Sequence, residues 1–350
     1  MTGPRHALVA GATGLIGSRV AHHLATSGWT VVGLCRRAPT GASFPFVEVD
    51  LASASACRSR LVGLDAVTHL FYCARFDHPE GAFESTEING EMLTNLLDAL
   101  AVQAPQLAHV NLVHGTKYYG HHLGPVPSPL TEDSPRGAGG TYYFAQEDLV
   151  RARSRTARWR FSIARPHTFL DAGSDEPRSF ALLLAVYATI MRELGLPFDF
   201  PGTQRSYAAR TVFTSLPLLA RAVTWMATDP RCANQAYNVV NGDAPAWAEL
   251  WPRFARYFDL PLGQPRPFDL ATFMATKKPL WQSIVHRSGL IPAQLDELVL
   301  WPYGNYVVRA EWDIVSAMTK ARRDGFAESV DTAAAFESVF DRLRAQSIVP

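Results

Sequence analysis

Several things are scarce in this chain of 350 residues, and each scarcity removes a class of function. Its 33 basic and 32 acidic residues leave a formal net charge of only +1, so no one-signed field exists to hold nucleic acid or an acidic membrane surface. Small-molecule partners are favoured instead. The four cysteines, Cys35, Cys57, Cys73 and Cys232, have neither metal-ligand spacing nor the density of a disulfide framework, which points to buried thiols in a reducing, cytoplasmic setting. No uncharged apolar run is long enough to span a bilayer, and the first residues pass straight into a strand pattern without the charged and apolar regions of a signal peptide. The adjacent pairs His22-His23 and His121-His122 lack the carboxylate or cysteine cluster that would complete a metal site, and helical neighbours point about 100° apart, so no metal is expected. Lysine is rare: positions 117, 277, 278 and 320 carry it, and the other 29 of the 33 basic residues are arginine.

What is present begins with a hydrophobic content of 47%, enough for a substantial core in one large α/β unit with an appended region. Ala7-Leu8-Val9-Ala10 is an apolar run of the kind buried in a parallel sheet, and Gly11-Ala12-Thr13-Gly14-Leu15-Ile16-Gly17 follows at once. A helical pattern then runs through Val20, Leu24 and Ala25 to Gly28. A strand, a glycine turn and a helix N-terminus supply free backbone N–H groups to a pyrophosphate, with Gly11 for the tight turn, Gly14 for close approach and Gly17 for helix packing. Thr13, Leu15 and Ile16 belong to the same cradle.

The second strand, Val31 to Cys35, ends in Arg36-Arg37, where an acid would favour the ribose of NAD. Two guanidiniums suit a 2′-phosphate, and hence NADPH; a solvated basic loop is the plain alternative. Asp50-Leu51 after the third strand is placed at the adenine edge, although an ordinary N-cap fits the aspartate nearly as well. Cys73-Ala74 closes the fourth strand on the ligand side. Strands alternating with helices over the first 115 residues predict a Rossmann-type, doubly wound parallel sheet.

The fifth apolar run, from His109, ends in Gly115-Thr116-Lys117-Tyr118-Tyr119-Gly120. Pro129-Leu130-Thr131-Glu132-Asp133-Ser134-Pro135 and then Tyr142-Tyr143-Phe144-Ala145-Gln146-Glu147-Asp148 come next. This register resembles an extended short-chain dehydrogenase, except that the lysine of its Tyr-x-x-x-Lys pair is replaced by Glu147. The combination of Gly-x-Lys-x-Tyr with an aromatic-Tyr-aromatic-x-x-Glu-Asp run is similar to the progesterone 5β-reductase and iridoid synthase-like family. The likeness continues in Asn238-Val239-Val240-Asn241-Gly242-Asp243, Trp247, Trp251, Gly289-Leu290-Ile291-Pro292 and Ile348-Val349-Pro350.

That resemblance implies an NADPH-dependent reductase of the activated C=C bond of an enone or enal. Tyr143 matches the catalytic tyrosine and Lys117 the displaced lysine, and both would also touch the cofactor. A phenol hydroxyl aimed at the carbonyl oxygen stabilises the charge that develops there on hydride addition, and a nearby ammonium would strengthen it. In a chain so biased to arginine, a lysine at the end of a central strand is notable, because an ammonium's pKa responds to its surroundings and a guanidinium's does not. The chain departs from the family at Val126, where plant members carry an aromatic, and at Tyr303, where the family has phenylalanine. Both become pocket walls, with His167 bordering them.

Residues 1–170, completed by about 209–242, read as the nucleotide-binding domain, and 171–208 with 243–350 as an interleaved, mostly helical substrate-binding and lid region. The apolar helix around Leu182 to Ile190 is expected to lie over the cleft as part of the lid. The Trp- and Phe-rich helices after Gly242 are expected to be core. The implied partner is a small apolar carbonyl compound, and the pattern leaves room for a homodimer. Three rivals remain: a carbonyl reductase, an NADP-binding cyclase or isomerase without net redox change, and a non-catalytic NADP-sensing regulator.

Overall fold

Short β-branched and leucine-rich runs pair in parallel wherever both faces can be covered by helices, and the central sheet is such a case. The computed structural model describes residues 5–76, 84–171 and 177–350. In chain order the strands are β1 (His6–Ala10), β2 (Thr30–Cys35), β3 (Phe46–Glu48), β4 (His69–Tyr72), β5 (His109–Val113), β6 (Arg160–Arg165), β7 (Thr168–Leu170), β8 (Phe198–Phe200), β9 (Phe213–Ser215), β10 (Gln235–Asn238) and β11 (Leu262–Pro265). The helices are α1 (Leu15–Thr26), α2 (Ala54–Arg60), α3 (Thr86–Gln103), α4 (Tyr142–Arg153), α5 (Phe180–Glu193), α6 (Gln204–Ala208), α7 (Leu216–Thr228), α8 (Trp247–Tyr257), α9 (Leu270–Ala275), α10 (Lys278–Ser288), α11 (Leu295–Leu298), α12 (Trp301–Val308), α13 (Thr319–Arg323) and α14 (Thr332–Ala345).

Seven parallel strands form the sheet, in the order β10-β6-β5-β4-β1-β2-β3. Alternate side chains serve opposite layers, as a period of two requires. Ala7, Val9 and Phe71 join Val20 and Leu24 of α1 and the apolar face of α7. Leu8, Ala10, Leu70, Val110 and Ile163 join Leu93, Leu96 and Leu100 of α3. The strand order reverses between β1 and β4, and a ligand crevice forms outside the carboxyl ends at such a switch point.

A second core lies beyond the sheet, built from α5, α8, α9, α12 and α14 with the β8–β11 pair. Trp251 stacks on Phe198 with centroids 4.5 Å apart and donates its indole N–H to the Phe198 carbonyl at 2.8 Å. Trp247, Trp281 and Trp301 are buried in the same cluster, as the sequence led us to expect. Helix α5 departs from expectation. Every residue from Phe180 to Met191 is buried, so α5 is the hub of the second core and covers no cleft as a lid. Its all-round apolar surface explains this, because a surface lid needs a polar face. Gly304 of α12 sits so close that an added Cβ would lie 2.6 Å from Leu183.

Candidate active site

The glycine turn is shaped by contacts that leave no room for side chains. Gly11 takes φ +76°, and a Cβ there would stand 2.9 Å from the Ala74 backbone, which joins the turn after β1 to the end of β4. A Cβ on Gly17 would lie 2.1 Å from the Gly11 carbonyl oxygen. Gly14 is the N-cap of α1 and no side chain caps it, so the first-turn N–H groups stay available to an anion. Thr13 and Gly14 are exposed, Leu15 and Ile16 half-buried. This cradle fits a pyrophosphate. Arg36 and Arg37 are exposed immediately after β2. Asp50 is also exposed, and its carboxylate accepts the Ala52 N–H at 3.0 Å. The cap of α2 is Ser53, so the N-cap alternative for Asp50 does not hold. Leu51 turns its side chain into the α3 layer, and Cys73 and Ala74 are half-buried at the end of β4.

Lys117 and Tyr143 both stand beyond the carboxyl end of β5. Lys117 lies in a short 3-10 turn, Thr116–Tyr119, and Tyr143 in the first turn of α4, where the Thr141 side chain accepts its N–H at 3.3 Å. Gly115 provides the space the phenol occupies, since a Cβ there would lie 3.1 Å from the Tyr143 oxygen. The ring stacks on His114 with centroids 4.7 Å apart. Burial pushes the Tyr143 phenol up to about 12, Glu84 adds to the rise, and a hydrogen bond from Tyr142 opposes it. Tyr143 is therefore a protonated donor at neutral pH.

Lys117 is engaged by Glu84, whose Oε1 accepts from Nζ at 3.0 Å, while Arg75 approaches the same carboxylate at 3.8 Å. Burial would raise the Glu84 carboxyl, but the charge and hydrogen bond of Lys117 prevail and lower it. Glu84 is the group the pair shares, since its charge also acts on Tyr143. Nothing singled it out beforehand: an acid just before the Ser85 cap of α3 reads as helix chemistry.

Glu147, which stands where a short-chain dehydrogenase has lysine, is buried inside an arginine cluster. It accepts from Arg151 at 2.6 and 2.9 Å and from Arg165 at 3.4 Å. Arg165, buried at the end of β6, lies 3.5 Å over the Tyr118 ring and donates to the Tyr119 hydroxyl at 3.1 Å, which in turn donates to Asn238 at 2.7 Å. The position has become a structural tie between α4, β6 and β10.

Of the residues expected to wall the pocket, Val126 packs on the tyrosine cluster that contains Tyr143. The His167 ring is 2.5 Å from the Thr116 hydroxyl, and burial pushes it down to about 4. Tyr303 is half-buried against the second core. One helical turn further along α12, Tyr306 faces the site: its ring centroid is 5.9 Å from Lys117 Nζ, and it lines a cleft with His121, His122 and His167.

Fold and glycine turn define a Rossmann-type protein in which Lys117 and Tyr143 both stand beyond the carboxyl end of a central strand. A short-chain dehydrogenase/reductase superfamily protein from Agrobacterium tumefaciens, solved with bound NAD, overlays it with a TM-score of 0.69 at 17% identity, covering 98% of both chains. The PRISE-like Rossmann-fold domain family matches residues 49–350, and the chain belongs to that family. It is 31% identical to a 3-oxo-Δ(4,5)-steroid 5-β-reductase of Arabidopsis thaliana and, equally, to an (S)-8-oxocitronellyl enol synthase of Camptotheca acuminata, in each case over 98% of this chain and 93% of the relative.

Proposed function

We propose that this protein is an NADPH-dependent oxidoreductase that reduces the activated C=C bond of an enone or enal by 1,4-addition. The observation that supports the reading is the placement of two residues: Glu147 is bound into arginines, while Lys117 lies in the turn beyond the end of β5. The relatives' names, a steroid 5-β-reductase and an oxocitronellyl enol synthase, agree with it.

NADPH, when bound, supplies the hydride. Gly11, Thr13, Gly14, Leu15 and Ile16 would hold its pyrophosphate, Arg36 and Arg37 its 2′-phosphate, and Asp50, Leu51, Cys73 and Ala74 would border the adenosine and the strand ends. Lys117 and Tyr143 would hold the ribose and face the substrate. Tyr143 donates its hydroxyl to the carbonyl oxygen as negative charge grows there, and its raised pKa keeps that proton in place. Lys117 provides positive charge at the same end, held by Glu84. Val126, His167 and Tyr303 would shape the pocket.

The test is loss of NADPH absorbance against cyclic enones, steroidal enones and linear enals, with product identified by mass spectrometry and NMR. Saturated carbonyl products are expected. Allylic alcohols would establish carbonyl reduction instead, and an isomerised product without NADPH loss would establish a redox-neutral reaction.

A further inference from the structure

The cleft beside Lys117 has a polarity that an apolar substrate does not require. Apolar and aromatic surface comes from Trp247, Val307, Trp312 and Ile314, but two arginines, Arg210 and Arg309, and the three histidines also line it. Among the described residues lining it there is no carboxylate. Both arginines are fixed by one bond each: Arg309 donates to the His122 carbonyl at 3.1 Å while lying 4.7 Å over the Tyr306 ring, and Arg210 donates through Nε to the Ala244 carbonyl at 2.9 Å. A guanidinium has five N–H donors, so most remain directed elsewhere.

The histidines point the same way. His121 is 97% buried, with Nε2 at 3.1 Å from the Thr116 hydroxyl, while its Nδ1 has no hydrogen-bond partner. His122 Nδ1 is likewise buried and unpartnered. A buried polar atom without a partner costs about 1–3 kcal/mol, so such atoms commonly await one. Trp312 donates its indole N–H to the His121 carbonyl at 3.3 Å, which fixes the histidine loop against the wall.

We infer that this cleft receives an anionic oxygen group at the far end of the substrate, so that the natural substrate is an amphipathic enone or enal with a terminal carboxylate. The inference rests on the reductase reading for its reacting end only. Tyr306 joins the two ends, since its ring lies near Lys117 Nζ on one side and beneath Arg309 on the other. The carbonyl is held at Tyr143, the apolar tether lies along Tyr306 and Val307, and the anion meets the exposed guanidiniums of Arg210 and Arg309, with the histidine loop behind them. An unsaturated oxo acid satisfies all three.

The test uses linear methyl enones carrying a terminal carboxylate on tethers of graded length, their methyl esters, and the matching phosphate monoesters. At one tether length the carboxylate should exceed its ester in kcat/KM by roughly 10- to 100-fold, the range of a charge-assisted hydrogen-bond pair. In the Arg210→Gln, Arg309→Gln double variant this ratio should fall towards one. A phosphate monoester that outperforms the carboxylate would overturn the choice of carboxylate. Binding of the acid and the ester is followed in parallel by quenching of tryptophan fluorescence, which needs no turnover. Tighter binding of the acid without turnover would uphold the anion site and sink the reductase reading. Reduction of acid and ester at equal efficiency would overturn the anion site and leave the reductase reading standing.

Discussion

The nucleotide side of this molecule is built from backbone and glycine, whereas the substrate side is built from large side chains. Around Gly11 and Gly17 the contacts are main chain on main chain, so the geometry is set by what is missing from those residues. In the second core, Trp251, Phe198, Phe336 and Phe340 interlock, and geometry follows from what fills the space. The first arrangement tolerates almost no change and can serve any substrate chemistry. The second can alter a half-buried side chain at its edge, such as Tyr303, while keeping its packing. Specificity should therefore reside on the aromatic side and cofactor binding on the glycine side.

The largest effect that would sharpen this contrast is Trp251→Ala. Removing that indole should cost about 3–5 kcal/mol of stability by denaturant unfolding, while the folded fraction keeps its affinity for NADPH. Loss of nucleotide affinity in the folded protein would show that the two sides are not separable. Tyr143→Phe should do the reverse, lowering kcat about 10²- to 10³-fold with little change in unfolding midpoint.

Acid provides a third way to separate them, because the histidines buried among the described residues are His109 and His114 beside the sheet and His121 at the cleft, and none of them is in ring contact with Trp251. An unfolded histidine takes up its proton below ~6.5, whereas burial holds native His109 and His114 down to about 3. The unfolded state binds more protons in that window, so stability is full above ~6.5 and falls as pH drops through it, by about 2 kcal/mol per histidine near pH ~5. Nucleotide binding should fail before the second core's tryptophan fluorescence changes in an acid titration; simultaneous loss would contradict the contrast. The smallest expected effect is the Arg36→Ala, Arg37→Ala variant, which should narrow the NADPH over NADH preference by roughly 10- to 100-fold in KM, at unaltered kcat.

Most of the nucleotide side was legible because its signals are local. A strand, a glycine turn and a helix within twenty-odd residues declare themselves, and β1, β2, β5 and β6 fall where the apolar runs stand. Lys117 and Tyr143 were singled out by their motifs, and the structure puts both beyond the carboxyl end of β5, with Lys117 paired to Glu84. The missed residues depend on contacts distant in sequence. Tyr306 lies one turn beyond Tyr303 on α12, with ring centroids 6.3 Å apart, and only the packing of α12 brings it to Lys117. Thr116 bonds both His121 and, 51 residues along the chain, His167, and no spacing rule reports that. The burial of α5 was readable in principle from its lack of a polar face, although its apolar run led to the expectation of a lid.

The central claim is that hydride goes to the conjugated carbon and Tyr143 holds the oxygen. NADPH deuterated at its transferring position, used with an enone that the protein turns over, tests this most directly. The account predicts deuterium on the β-carbon of a saturated ketone, in a yield that falls with turnover in Tyr143→Phe; deuterium on the carbinol carbon of an allylic alcohol would contradict it.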